Sequence, residues 1–109
     1  MQIIAVPEVR AYLSDLSRLL YEEGYFGFEE RAQRYVEELV ADIRANLPFK
    51  LKKPAPPYFD RFGKNLLYAS FRKSRGTQWY VFFNVYERRG EAVFLIRYIG
   101  NNHVLAQYL

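Results

Sequence analysis

Residues 66–102 read LLYASFRKSRGTQWYVFFNVYERRGEAVFLIRYIGNN. Runs rich in Tyr, Phe, Val and Ile, broken by Gly, Ser and Asn, are the signature of strands joined by hairpins. The spacing predicts a strand over Leu66–Arg72, a turn at Lys73–Gly76, a strand over Thr77–Tyr86, a turn at Glu87–Gly90 and a strand over Glu91–Ile99. The turns are too short for crossovers, so the strands form an antiparallel meander. Side chains alternate along a strand. Trp79, Val81, Phe83 and Val85 therefore share one face, and Tyr80, Phe82, Asn84 and Tyr86 the other. In the third strand Val93, Leu95, Arg97 and Ile99 alternate with Phe94, Ile96 and Tyr98. Neither strand has a wholly polar face, so the sheet expects cover on one side and a half-apolar surface on the other.

The residues before the meander supply the cover. Gln2–Val6 is a short run of strand type, and Pro7 suits the first turn of a helix. Val9, Tyr12, Leu13, Leu16, Leu19 and Leu20 recur at helical spacing, and Gly24 fits the left-handed position after that helix. A second stripe, Ala32, Tyr35, Val36, Leu39, Val40, Ile43 and Leu47, starts near Phe28, with Glu29 and Glu30 favourable to the helix dipole, and ends at Pro48. The short link makes the pair an antiparallel hairpin. Pro54-Ala55-Pro56-Pro57 excludes helix and central strand, while Tyr58, Phe59 and Phe62 predict a connector that packs. The expectation is one α+β domain over residues 1–109: two layers, an N-terminal strand, a helical hairpin and then the meander. The sheet surface away from the helices is expected to be free for another macromolecule.

The 109-residue chain has 10 Tyr, 9 Phe, 1 Trp, no Cys and 1 His. Disulfides and thiolate metal sites are excluded, a His-rich site cannot be built, and nothing calls for a cofactor. No run approaches the ~20 apolar residues of a membrane span, and Met1–Val6 lacks a signal-peptide pattern, so a cytoplasmic protein is expected. Charge is unevenly spread: residues 1–48 sum to −4 and residues 49–109 to +8. A basic, aromatic sheet half points to a polyanionic or acidic partner. The candidate nucleic-acid-binding or target-binding residues are Lys52, Lys53, Arg72, Arg75, Tyr68 and Tyr80, since cations position phosphates and aromatic faces stack bases. Arg61, Lys64, Lys73 and Arg97 join the same basic set, and Tyr98 the aromatic one. Arg97, the one arginine inside an apolar strand, needs a partner if buried. His103 is the one side chain whose ordinary pKa suits proton transfer near neutrality.

The element order resembles the RelE/ParE superfamily of bacterial type II toxin–antitoxin toxins over nearly the whole chain. The resemblance rests on Leu67-Tyr68-Ala69-Ser70-Phe71-Arg72, on Trp79-Tyr80-Val81-Phe82-Phe83-Asn84-Val85, on Ile96-Arg97-Tyr98-Ile99-Gly100, and on Tyr108 near the end. It implies a growth-inhibiting toxin, of the plasmid-stabilisation kind, that either cuts mRNA on the ribosome or poisons DNA gyrase and is held inactive by a cognate antitoxin. Of the family's site residues it carries over Tyr108, near the C-terminus, and Arg72 at a commonly basic position; with Arg97 and His103 as substitutes for the family's cations, Arg97, His103 and Tyr108 are the candidate catalytic residues. RelE-type nucleases carry lysines where this chain has Tyr68 and Ser70, and arginines where it has Tyr80 and Asn102. A phosphate-stabilising cluster short of its cations loses the electrostatic contribution that usually dominates such catalysis. The departures favour binding over cleavage. A partner-binding domain on the same fold, without toxicity, is the remaining reading.

Overall fold

The computed structural model describes residues 1–109. Five strands, β1 (Gln2–Ala5), β2 (Lys53–Pro54), β3 (Leu67–Ser74), β4 (Thr77–Arg88) and β5 (Glu91–Asn101), form one mixed sheet in the order β1-β5-β4-β3-β2. β3, β4 and β5 pair antiparallel with their chain neighbours, and β1 runs parallel to β5 at the edge. Two helices, α1 (Pro7–Glu22) and α2 (Glu29–Asn46), lie between β1 and β2 in the chain. A short helix, α3 (Asn102–Leu105), follows β5. No helix is long and apolar enough to cross a membrane.

Local chemistry sets the boundaries. Val6 is extended and Pro7 opens α1, whose first turn holds Glu8. Gly24 takes φ +83° just beyond that helix, a region glycine enters without a Cβ penalty. Pro48 cannot continue α2, and the chain tightens into a 3-10 turn at Leu47–Phe49. Between β4 and β5 only Arg89 and Gly90 turn, at φ +53° and +77°, the type I′ geometry that matches strand twist. The strands thus run closer to the loop tips than expected: Arg88 pairs with Glu91, and β3 continues to Ser74.

The helices cover one face. Val9, Leu16 and Leu20 of α1, and Val36, Leu39 and Ile43 of α2, pack with Ala69, Phe71, Trp79, Val81, Phe83, Phe94, Ile96 and Ile99. The strict alternation expected for β5 fails at one residue. Phe82 pairs with Tyr98 but Phe83 with Ile96, so Arg97 is an inserted residue in a β-bulge. Ile99 consequently joins Phe94 and Ile96 in the helix-side core rather than sharing a face with Val93, Leu95 and Arg97.

The expectation of a free far face is corrected. A 3-10 turn at Pro57–Phe62 and the C-terminal α3 fold back over it and build a second core from Phe59, Leu66, Phe82 and Leu105. Phe59 is fully buried and stacks on Phe82 with ring centroids 4.2 Å apart. Each such side chain gains about 2 kcal/mol on leaving water. Phe82 occupies a far-face strand position, and a buried aromatic there needs a lid that two otherwise irregular segments provide. The proline-rich connector also contributes β2, a two-residue strand at the sheet edge, where proline's missing N–H does not interrupt a ladder.

Candidate functional site

The strand register gathers several of the expected binding residues beyond the lid, toward the β3–β4 hairpin. Lys53 of β2 pairs with Tyr68 of β3, Ser70 with Tyr80, and Arg72 with Gln78. Cross-strand partners share a face, so Lys53, Tyr68, Tyr80 and Arg72 lie side by side on the surface opposite the helices. The Tyr68 and Tyr80 rings meet edge to face at 6.1 Å, and Tyr68 leans on Phe82 at 5.5 Å. Both tyrosines are half-buried, while Ser70, Arg72 and Gln78 are exposed. Arg72 Nε reaches only the Ser74 carbonyl, at 3.4 Å. Arg75 sits exposed in the hairpin turn.

The cations of this half have few counter-charges. The ion pairs of the chain are Met1 to Glu91, Arg18 to Asp15 and Glu22, and Lys73 to Glu38. Lys53, Arg61, Arg72, Arg75 and Arg97 therefore have no carboxylate within ion-pair distance. None of the four principal concavities of the molecule is lined by Tyr68, Tyr80 or Arg72.

Two lysines do not join it. Lys52 donates to the carbonyls of Pro48 at 2.7 Å and Lys50 at 3.0 Å, and its Nζ stands 5.8 Å from the ring of Phe94, a helix-side residue. Lys73 bulges out of the β3–β4 register, sits 5.0 Å over the Tyr35 ring and pairs with Glu38 at 3.4 Å. Both serve the helical layer.

Arg97, His103 and Tyr108 keep separate company. Arg97 Nε donates to Asn84 Oδ1 at 3.2 Å, and its NH2 to the Tyr86 hydroxyl at 3.1 Å. The strand arginine thus finds neutral partners on its own sheet face. His103 Nε2 lies 3.3 Å from Thr77 Oγ1 beside a hollow shared with Lys73, Tyr35 and Tyr25. Tyr108 stacks on Tyr58 with ring centroids 3.7 Å apart and planes 6° from parallel. No hydrogen bond links any two of the three. Asn102, at the position where the resemblance expects an arginine, clamps the hairpin turn: its side chain accepts from Gln78 N at 2.9 Å and donates to the Gly76 carbonyl at 3.1 Å.

Sequence reasoning passes over Tyr58 as a site residue. It carries the Arg61 guanidinium 3.9 Å over its ring as well as the Tyr108 stack. The signal available is Pro57, which starts the turn that places Tyr58, Phe59 and Arg61 on the sheet. No three His, Cys, Asp or Glu side chains converge in a way that could hold a metal ion. No protein-family model, no curated protein and no solved structure matches the chain.

Proposed function

We propose that this chain is the growth-inhibiting toxin of a type II toxin–antitoxin pair, with a RelE/ParE-like fold, acting by binding a macromolecular target and neutralised by a cognate antitoxin. The observation that carries the reading is the alignment of Lys53, Tyr68, Tyr80 and Arg72 on the part of the far sheet face beside the lid, its two tyrosines half-buried and its cations without a carboxylate in ion-pair distance. Cations and tyrosine faces together suit a nucleic-acid strand or an acidic protein segment. The motif resemblance and the order of the elements supply the toxin part of the reading.

Binding is favoured over RNA cleavage by one specific feature. Arg97, His103 and Tyr108 contact Asn84 and Tyr86, Thr77, and Tyr58 respectively, rather than one another. A general acid–base pair needs its members within hydrogen-bond reach of one substrate atom. On this reading ribosome-dependent cleavage is the alternative, and the target is gyrase or another macromolecule.

Tightly controlled expression in a bacterial host tests the proposal. Growth arrest is expected, and the double variant Lys53→Glu, Arg72→Glu relieves it, because both residues are exposed and charge reversal leaves the fold intact. Growth unaffected by the wild-type chain removes the toxin reading. Mapping mRNA ends on stalled ribosomes separates the mechanisms: codon-positioned cuts, lost in Arg97→Ala and His103→Ala, establish the nuclease. Induction of DNA damage without cuts points to gyrase.

A further inference from the structure

The largest of the four principal concavities lies away from the tyrosine face, and its floor is a strand edge. β1 accompanies β5 only from Val93 to Ile96, with Val6 N donating to the Ile96 carbonyl at 3.0 Å as the last bond between them. The chain then turns into α1. From Arg97 to Gly100 no strand lies on that side of β5, and no loop, cap or turn hydrogen bond reaches its backbone. In an antiparallel partner such as β5, alternate residues point their N–H and C=O away from the neighbouring strand. Half of this stretch therefore offers unpaired backbone donors and acceptors. Unpaired edges are templates for another strand, and this one lines the cleft with Arg97 and Tyr98 half-buried and Ile99 and Gly100 buried.

The edge is recessed. Val9 and Tyr12 of α1 form one wall, Arg61 and Phe62 of the Pro57–Phe62 turn the other, and Val104 closes the end, around a volume of about 660 Å³. Phe62 is stacked on Tyr98 at 3.8 Å, which fixes the second wall against the sheet. Burial, and then the neighbouring Tyr98 phenol, push the Tyr12 hydroxyl up to about 12. Two guanidiniums, Arg61 and Arg97, border the cleft with no carboxylate in ion-pair distance, against the single acid Glu8.

We propose that the open edge of β5 between Arg97 and Gly100 receives an extended acidic segment of a partner protein, which adds to the sheet as a strand in line with β1. The backbone ladder provides affinity. A strand's period of two sends one set of side chains to the Val9–Tyr12 wall and the other to the Arg61–Arg97 side, so apolar residues alternating with acids fit. Four open residues at ~3.3 Å each give a floor of about 13 Å, the length of a short added strand. A second copy of this chain suits the cleft poorly, because it brings another net charge of +4 to an already cationic rim. The inference does not depend on toxicity: it concerns a different surface from the Tyr68–Tyr80 face and holds for any partner with this segment.

The full chain, isotopically labelled, is titrated with a blocked peptide of about seven residues alternating valine and glutamate, and with its valine–lysine twin. Expected are saturable amide shifts at Arg97–Gly100 and along Val9–Tyr12, with the glutamate peptide binding about tenfold tighter than the lysine one. Arg61→Glu, at an exposed position, reverses that preference. Val104→Glu, 57 % exposed, weakens the acidic peptide while leaving the unbound spectrum folded. No saturable shift at about 1 mM peptide, equal binding of the two peptides, or shifts confined to the Tyr68–Tyr80 face each overturn the proposal. So do concentration-dependent shifts at Arg97–Gly100 without peptide, which assign the edge to a second copy.

Discussion

The Trp79 indole N–H donates to the Tyr35 hydroxyl across 2.8 Å, tying the centre of the sheet to α2. Trp79 is among the largest fully buried side chains, and the Tyr35 hydroxyl is the hydrogen-bond partner of its indole N–H. The Tyr35→Phe variant leaves that donor unpaired, and an unsatisfied buried donor costs about 1–3 kcal/mol. Denaturant unfolding of the variant should show a lower midpoint with an unchanged slope. An unchanged midpoint means that water reaches the indole.

The far-face lid rests on Phe59. Phe59→Ala removes the ring stacked on Phe82 and opens a cavity between the Pro57–Phe62 turn and the sheet. Loss of about 3–5 kcal/mol is expected from thermal or denaturant unfolding. Amide exchange should quicken first in residues 57–62 and 102–108, since both segments depend on the same small core. Uniform loss of protection across the molecule is the contrary result.

Gly100 is bare for a packing reason. A Cβ there meets Leu105 Cδ1 at 2.7 Å and Cγ at 3.1 Å. Leu105 is 1 % exposed and has little room to move. Gly100→Ala should destabilise by about 1–3 kcal/mol through overpacking. The companion change Leu105→Ala costs stability by itself but should make the double variant less than additive, as for two residues in contact. Strict additivity in that cycle sinks the packing account.

Alkaline stability carries a sign that follows from Tyr12. Its folded pKa, raised first by burial and then by Tyr98, stands at about 12 against an ordinary 10.0. Between those values the unfolded chain loses the proton while the folded chain keeps it, so the unfolded state binds fewer protons and stability falls as pH rises. Below pH 10 the contribution is fully present; it is lost as pH passes through 12. Burial raises Tyr35 and Tyr98 in the same direction. Tyr12→Phe should flatten the fall of stability between pH 10 and 12, read from unfolding midpoints across that range.

Much of the architecture is legible in the residues. The 3.6-residue stripes of α1 and α2 and the aromatic runs of β3 to β5 each fill a continuous core, so periodicity reports them. Pro7, Gly24 and Pro48 mark their boundaries through backbone chemistry alone. The inserted residue at Arg97 is invisible to a period-two reading, because a one-residue bulge depends on which partner strand lies opposite. The far-face lid is half legible. Tyr58, Phe59 and Phe62 announce packing, yet nothing in their spacing says that Phe82 lies beneath them.

The site divides in the same way. Tyr68, Tyr80 and Arg72 fall together because strand alternation and hairpin register are local rules, whereas Lys53 joins them through β2, an edge strand in a stretch that reads as a connector. Lys52 and Lys73 leave the group because a carbonyl pair and a bulge, both tertiary features, hold them on the helix side. Arg97, His103 and Tyr108 are close in sequence but part ways at the bulge and at α3.

Gln2–Ala5 has its only strand partner in Val93–Ile96, near the opposite end of the described residues. During synthesis the first strand waits, unpaired, until the last one emerges from the ribosome. Contacts of such long sequence separation form late and slowly. The α1–α2 hairpin and the β3–β4 ribbon can assemble as they are made, whereas closure of the sheet waits for β5. In that interval the N-terminal segment is open to proteases and to chaperones that capture extended apolar chain.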